Sequence, residues 1–371
     1  MQQQVSYRCS LFSLGPDAAY VLRLAYSWVI LDQELSLFHD RPSKFSINEL
    51  NAAMPDQDVL WNSQSAEEWS RAYNARYRNP KATTPRNPPS LKWIFRRFMS
   101  RDAQIQGLDY TPLQLRLFLQ PLQSMVCHLH ECLDYYSDAG TDRPSQRLVT
   151  QLEEVQSILQ DWYTICSRSA RKAGAFDPRT CANLVNYHLI SLNTMTNFRE
   201  MEQFARGELP LDEFQHSYWV RVRCIEEAPR IWFHCGQIIR LVRAMPEAQK
   251  PPWWSAAIYR VAIIMWATSH ANLKGQQGPP SGISRGFSSS DDTFMIDSLT
   301  PEHPSILRYM RYREGVPVLS QRGGGLVSLD LPENTVQHCL EVLNEEPAKM
   351  RLAEGIKDRL TKFIARCKER R

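Results

Sequence analysis

Nineteen consecutive residues, Thr180 to Phe198, contain no Asp, Glu, Lys or Arg, in a chain where those four types make up 23% of the sequence. As a helix the run is about 28 Å long. Leu184, Val185, Leu189, Ile190, Leu192 and Met195 are mixed along it with Asn183, Asn186, His188, Ser191, Asn193, Thr194 and Asn197. A helix without charges is stable when most of its sides are covered. Its buried amides and hydroxyls then need partners inside the protein. The rest of the chain must therefore supply other helices around this one, together with a satisfied polar network. A central helix is the expected outcome. Its polar residues Asn186, His188 and Asn193 also make it the candidate wall of a pocket for a small effector.

Helical periodicity continues elsewhere. From Pro16 to Phe38, apolar residues recur at Val21, Leu24, Trp28, Leu31, Leu35 and Phe38, a three- and four-residue spacing that places them on one helix face. Thr111-Pro112-Leu113-Gln114 reads as a capping box that opens a helix running to about 136, with a kink expected at Pro121. Further helices are expected over 65–78, 90–105, 145–170, 180–206, 211–228, 230–244, 252–272 and 347–369. In the last, Leu352, Ile356, Leu360, Phe363, Ile364 and Cys367 form the expected inner stripe. Glycine is scarce, 15 of 371 residues, which disfavours architectures built from many tight turns.

Three segments punctuate this body. Four prolines between Asn79 and Pro89 predict an extended connection, and the Gly/Ser/Pro-rich 275–292 predicts a mobile surface loop. Val316 to Leu329 predicts one β-hairpin, with Gly323, Gly324 and Gly325 supplying positive φ at its turn. None of these marks a domain boundary. The expected fold is all-α: a single irregular multi-helix domain over 1–371 with one small C-terminal β-hairpin.

The formal net charge of +4 is too small for the basic field of a free-standing DNA binder. Residues 1–30 lack the order of a secretory signal, and the longest apolar stretch, Ala256 to Ala267, is short and contains Arg260. Nine cysteines, an odd number, fit reduced thiols better than a disulfide framework. The expectation is a soluble, intracellular chain that does not enter a membrane.

Chemical signals are sparse. Cys127, His128, His130, Glu131 and Cys132 crowd ligand-type side chains together, but no second pair at zinc spacing accompanies them, so helix packing is the better account. His234-Cys235 and Glu226-Glu227 are likewise better explained by core packing and a solvated turn before Pro229 than by catalysis. Gly323–Gly325 lacks the Lys-Ser/Thr of a phosphate loop, and the basic end Arg366 to Arg371 suits the negative end of a helix dipole. A helical, aromatic-rich chain would also suit a magnesium-dependent terpene cyclase. The candidate cluster, Asp291-Asp292 with Asp297 five positions on, has poor spacing for carboxylates converging on magnesium.

The run Leu24-Ala25-Tyr26-Ser27-Trp28-Val29-Ile30-Leu31-Asp32-Gln33-Glu34-Leu35-Ser36-Leu37-Phe38 resembles a signature segment of the fungal-specific transcription factor regulatory domain. Asp40-Arg41-Pro42, Phe45-Ser46 and Ala53-Met54-Pro55 continue the likeness. So do Tyr187-His188-Leu189-Ile190-Ser191-Leu192-Asn193 and Gly315-Val316-Pro317-Val318-Leu319. The likeness runs from about residue 18 to 365 and is closest to members that carry Cys2His2 fingers. It implies a nuclear regulatory module for transcription, often of metabolic genes, with no catalytic residues. It also implies that DNA contact and zinc belong to an upstream finger region absent here, and that this chain is shortened at its N-terminus. Protein partners are expected, with homo- or heterodimers among them, and no cofactor in this chain. The structural motif is expected at Trp28, Asp32, Arg41 and Pro42, with Asp32 pairing Arg41. Asp40 replaces a glycine common in the family, and Asp tolerates a left-handed helix end. Missing upstream helices would leave an apolar face of helix 16–38 uncovered and favour association. The alternatives are the cyclase-like enzyme and a generic helical interaction scaffold.

Overall fold

A computed structural model describes residues 16–55, 58–77, 89–102, 108, 110–138, 146–173, 177–217, 219–275, 293–345 and 350–369. Most of the expected extended connection 79–89, nearly all of the expected mobile loop 275–292, and Asp291 and Asp292 lie outside these residues. The described residues are mainly helical, with one small sheet. They fall into two compact units: one of residues up to 127 with 160–175, the other of 128–159 with 176–371.

The first unit holds α1 (Pro16–His39), α2 (Asp58–Trp61), α3 (Ala66–Tyr77) and α4 (Leu91–Met99), with parts of α5 (Pro112–Asp138) and α6 (Gln146–Ala173). The expected capping box opens α5: Thr111 N–H donates to Gln114 Oε1 at 3.1 Å, and Gln114 N–H donates to Thr111 Oγ1 at 3.2 Å. Two of the four orphan donors at a helix start are relevant here, and this reciprocal pair fixes where the helix begins. Helix α5 continues through Pro121. Phe118 anchors the core, stacked on Phe98 at 5.9 Å and edge-on to Tyr110 at 5.1 Å. Buried Trp162 packs nearby and donates its indole N–H to Leu115 O at 3.0 Å.

Helix α1 turns its more polar side inward and leaves the apolar row outward, in keeping with the expected uncovered face. Tyr26, Val29, Gln33, Ser36 and Leu37 are buried, whereas Val21, Leu24, Trp28, Leu31 and Leu35 are exposed. Periodicity alone could not choose between the sides, because α1 carries apolar residues on both. Beyond α1, Asp40 adopts φ +49°, the left-handed conformation expected of it.

The second unit is built on α7 (Pro178–Met195), which packs along α10 (Ala228–Ala244). Around them lie α8 (Phe198–Arg206), α9 (Leu211–His216), a π-helical turn (Trp219–Cys224) and α11 (Trp254–Gly275). The single helix expected over 180–206 divides because Thr196 is extended and Asn197 caps α8, its Oδ1 accepting from Glu200 N–H at 3.3 Å. The helix expected over 211–228 likewise ends at His216 and gives way to the π turn.

The hairpin is present as β2 (Val316–Ser320) and β3 (Leu326–Ser328), with φ +101° at Gly323 and +89° at Gly324 in its turn. A third strand, β1 (Thr293–Met295), pairs parallel with β2, Phe294 opposite Pro317. Helices α12 (Pro304–Tyr312), α13 (Pro332–Asn344) and α14 (Arg351–Glu369) complete the unit. On α14, Ile356, Leu360, Phe363 and Ile364 are buried as expected, but Leu352 is exposed and Ala353 takes its inward place. No helix among the described residues is long and apolar enough to cross a membrane.

Candidate functional site

Residues Thr180, Cys181 and Asn183 to Met195 of α7 are all buried. Most of the polar network that the sequence requires is built. Thr194 Oγ1 donates to Gln156 Oε1 at 2.8 Å, and Arg223, which pairs with Glu153 at 3.2 Å, also donates to Thr194 O at 3.2 Å. His130 turns inward from α5, stacks flat on Trp219 at 4.6 Å and meets Asn193 O through Nε2 at 2.5 Å. Arg260 is buried on α11, lies over the Phe198 ring at 4.0 Å and donates to Asn193 Oδ1 at 3.3 Å. The guanidinium thus combines an aromatic face with an amide acceptor, a combination suited to a desolvated arginine. Glu200 closes the network's edge, accepting from Ser217 at 2.5 Å; burial, opposed by that hydrogen bond, pushes its carboxyl up.

The three residues of the candidate effector wall take different surroundings. Asn186 and Asn193 are seven apart and share a face, while His188 lies about 200° round the helix from Asn186. Asn186 Nδ2 donates back to Ala182 O at 2.9 Å, and its Oδ1 has no hydrogen bond. His188 Nδ1 and His234 Nδ1 are 2.8 Å apart, so one ring donates its proton to the other's lone pair. Tyr187 and Phe233 meet the pair edge-on. Burial, helped by the charge on Arg230, pulls His234 down to about 3. Burial, then His234 and Arg240, lowers His188 well below its ordinary value. Both rings are neutral at pH 7. Cys235 beside them is buried, which pushes its thiol well up and leaves it a poor nucleophile.

A second buried centre forms where β1 ends. Asp297 Oδ2 accepts from Arg243 at 2.8 Å and from Ser320 Oγ at 2.9 Å, Oδ1 accepts from Ser320 N–H at 2.8 Å, and His338 Nε2 lies 3.5 Å away. Arg243 also bridges to Glu345 at 2.8 Å. This carboxylate ties β1 and β2 to α10 and α13, and its acceptors are already occupied. Nothing in the sequence pointed to that role. Gly236, equally unremarked, lets Ile296 O come so close that an added Cβ would sit 2.7 Å from it. Gln237 Nε2 then donates to Ile296 O at 3.2 Å and Leu299 O at 2.9 Å.

In the first unit the motif residues form a turn. Asp32 Oδ2 accepts from Ser43 Oγ at 2.6 Å, Lys44 N–H at 2.8 Å and Phe45 N–H at 3.3 Å. These partners replace the expected pairing with Arg41, whose exposed side chain lies beyond the left-handed Asp40 and whose N–H bonds Ser36 O at 3.3 Å. Gln120 braces the same turn, donating to Ser43 Oγ at 2.9 Å and Phe45 O at 2.8 Å. Pro42 follows Arg41 in this exposed link, and Trp28 points outward from α1. A shallow surface cavity of about 430 Å³ lies in this unit, lined by Ile47, Asn48, Lys92, Phe95, Arg96 and Met99. It holds none of the anticipated site residues.

The ligand-type residues near 130 diverge. His130 is committed to Trp219 and Asn193, whereas exposed His128 lies 4.0 Å from Glu131 and 3.8 Å from Cys132 Sγ. Among the described residues no group of three His, Cys, Asp or Glu is placed to hold a metal.

The chain is similar over 92% of its length to a transcription factor of Zymoseptoria tritici, 38% identical across 363 residues, which amount to 37% of that protein. Transcription factor 1 of Elsinoe fawcettii is 38% identical over 348 residues, 92% of this chain and 35% of the relative. Transcription factor PfmaH of Pestalotiopsis fici is 32% identical over 352 residues, 91% of this chain and 35% of the relative. The chain therefore spans little more than a third of the length of these curated relatives. No family model and no solved structure matches it.

Proposed function

We propose that this chain is the regulatory and protein-interaction portion of a fungal transcription factor, acting in the nucleus on the transcription of metabolic genes. The observation that carries the reading is similarity across 92% of the chain to proteins named as transcription factors. The internal chemistry supports it. The most reactive-looking groups, the His188–His234 pair, Cys235 and Asp297, are neutral, protonated or already paired, as suits a body that holds surfaces in place. DNA contact is assigned to a Cys2His2 region outside residues 1–371, so this chain alone binds DNA weakly and with strong salt dependence.

The cyclase-like alternative finds no support at Asp297, whose carboxylate would have to leave Arg243 and Ser320 to reach a magnesium ion. Deleting the encoding gene and profiling transcripts separates the readings. The regulatory reading expects a coherent set of changed transcripts, no magnesium-dependent turnover of prenyl diphosphates by the purified chain, and tagged protein in the nucleus. Turnover abolished by Asp291→Asn, with transcripts unchanged, would overturn it.

A further inference from the structure

The cavity of about 430 Å³ in the first unit lies where the 46–50 turn meets α4. Lys92 ties the two together: its N–H donates to Leu50 O at 3.2 Å and its Nζ to Asn48 O at 3.3 Å. Helix α4 opens at Ser90, whose Oγ accepts from Trp93 N–H at 3.2 Å, and it buries Leu91, Ile94, Phe95 and Phe98. Lys92, Arg96 and Met99, spaced four and three apart, share the flank beside Phe95. With Ile47 and Asn48 of the turn they line the gap. Phe95, Ile47 and Met99 supply its apolar lining, and Lys92, Arg96 and Asn48 its polar one.

The charge on that lining is one-sided. Helix α4 carries Lys92, Arg96 and Arg97 and no acid. Arg97 is committed to Asp102 at 2.7 Å and to the face of Trp93 at 4.8 Å. The Arg96 guanidinium is exposed and has no ion-pair or hydrogen-bond partner among the described residues, while the Lys92 ammonium meets a neutral carbonyl. Glu49, the acid beside Asn48 in the turn, accepts from Ser46 N–H at 3.2 Å. Two cations one helical turn apart thus flank apolar surface with no carboxylate answering them. We propose that this cavity binds a small organic acid. Its carboxylate sits on Arg96 and Lys92, and its apolar body lies against Phe95, Ile47 and Met99. A guanidinium pairs a carboxylate through two parallel N–H···O bonds, and the volume falls within the range of about 300–1,000 Å³ usual for small-molecule sites.

The placement of charge favours a small acid over an acidic peptide. A peptide with several carboxylates would call for cations continuing along the surface, yet Arg97 and Arg101, the next along the chain, are already paired with Asp102 and Asp161. What stays open is one pair, Lys92 and Arg96, at one cavity bounded by the turn on one side and α4 on the other. Asn48, on the turn side, adds an amide for a second polar group of the ligand. The site lies in the first unit, apart from Asn186, His188 and Asn193 in the second. It goes beyond the transcriptional reading, and binding to the purified chain is measured without reference to that reading.

Titration calorimetry of the 371-residue chain with 2-naphthoate, an aromatic carboxylate, and with 2-naphthamide, its neutral counterpart, tests the proposal. Saturable binding of the carboxylate with a dissociation constant on the order of 100 micromolar is expected, and binding of the amide about tenfold weaker or less. Arg96→Gln, at an exposed site, should weaken the carboxylate about tenfold. Met99→Glu should abolish binding, because it fills the cavity and gives Arg96 a carboxylate of its own. Arg322→Gln, an exposed cation in the hairpin turn, leaves binding unchanged. Circular dichroism checks that helix content is kept; if Met99→Glu loses it, Arg96→Gln decides alone. Hydrogen exchange with 2-naphthoate bound should slow in 46–50 and α4. No saturation in the millimolar range, equal affinity for the amide, indifference to Arg96→Gln, or protection confined to other segments overturns the proposal. Tighter binding of the peptide acetyl-Glu-Phe-Leu-Glu-amide than of 2-naphthoate, lost in Arg96→Gln, would assign the cavity to a protein partner and overturn it as well.

Discussion

Protonating the acceptor ring of the His188–His234 pair sets two Nδ1–H donors against each other, and protonating the donor ring at its Nε2 places a charge in the buried core. Both rings are held neutral by burial, whereas the unfolded chain takes up protons near the ordinary histidine value. Between those limits the unfolded state binds more protons, so stability rises with pH there and is lost as pH falls below about 6.5, by up to about 1.4 kcal/mol per unit for each ring. Chemical denaturation at pH 7.5, 6.0 and 5.0 measures this slope. Replacing both rings by Phe should flatten it, and an unchanged slope would contradict the assignment. At Asp40, φ +49° predicts that Asp40→Val costs about 1–2 kcal/mol, while Asp40→Gly is neutral or stabilising. Denaturation midpoints decide. Left-handed Asp40 was legible in the sequence because a short polar side chain stood where a helix had to end. The histidine pair was not, because its members are 46 residues apart and no local pattern joins them.

Elements were legible where a local signal set their limits. The capping box placed the start of α5 and the uncharged run placed α7 at the centre. Helices α12 and α13 were missed despite Pro304 and Pro332 in their first turns, since α12 is short and α13 begins only four residues after the hairpin's last strand residue. Strand β1 was hidden because its partner β2 is more than twenty residues away and the pairing is parallel. Two contacts hold that corner. Gly236→Ala should cost about 1–3 kcal/mol, since the new methyl would meet Ile296 O. Asp297→Asn should cost about 2–4 kcal/mol, since Arg243 loses a buried partner. Both losses are expected as lower thermal midpoints, with hydrogen exchange rising first in β1, β2 and the second half of α13. Stability unchanged in either variant would contradict the role given to that corner.

At the scale of the whole molecule, the polar candidates that a single sequence offers for chemistry are drawn into packing: His130 onto Trp219, Asp297 onto Arg243, Asn193 between Arg260 and His130. What remains outward and unusual is an apolar helix face in α1, a feature of association rather than turnover. Sequence periodicity identified that row of residues, but only packing reveals which side the unit leaves uncovered. In the proposed function, residues 1–371 carry regulation of transcription apart from any DNA reader. Its most direct test fuses them to an unrelated DNA-binding domain and measures a reporter with intermediate basal output in a fungal cell. A several-fold change, up or down, is expected relative to the DNA-binding domain alone at matched protein levels. Equal output from the two would contradict it.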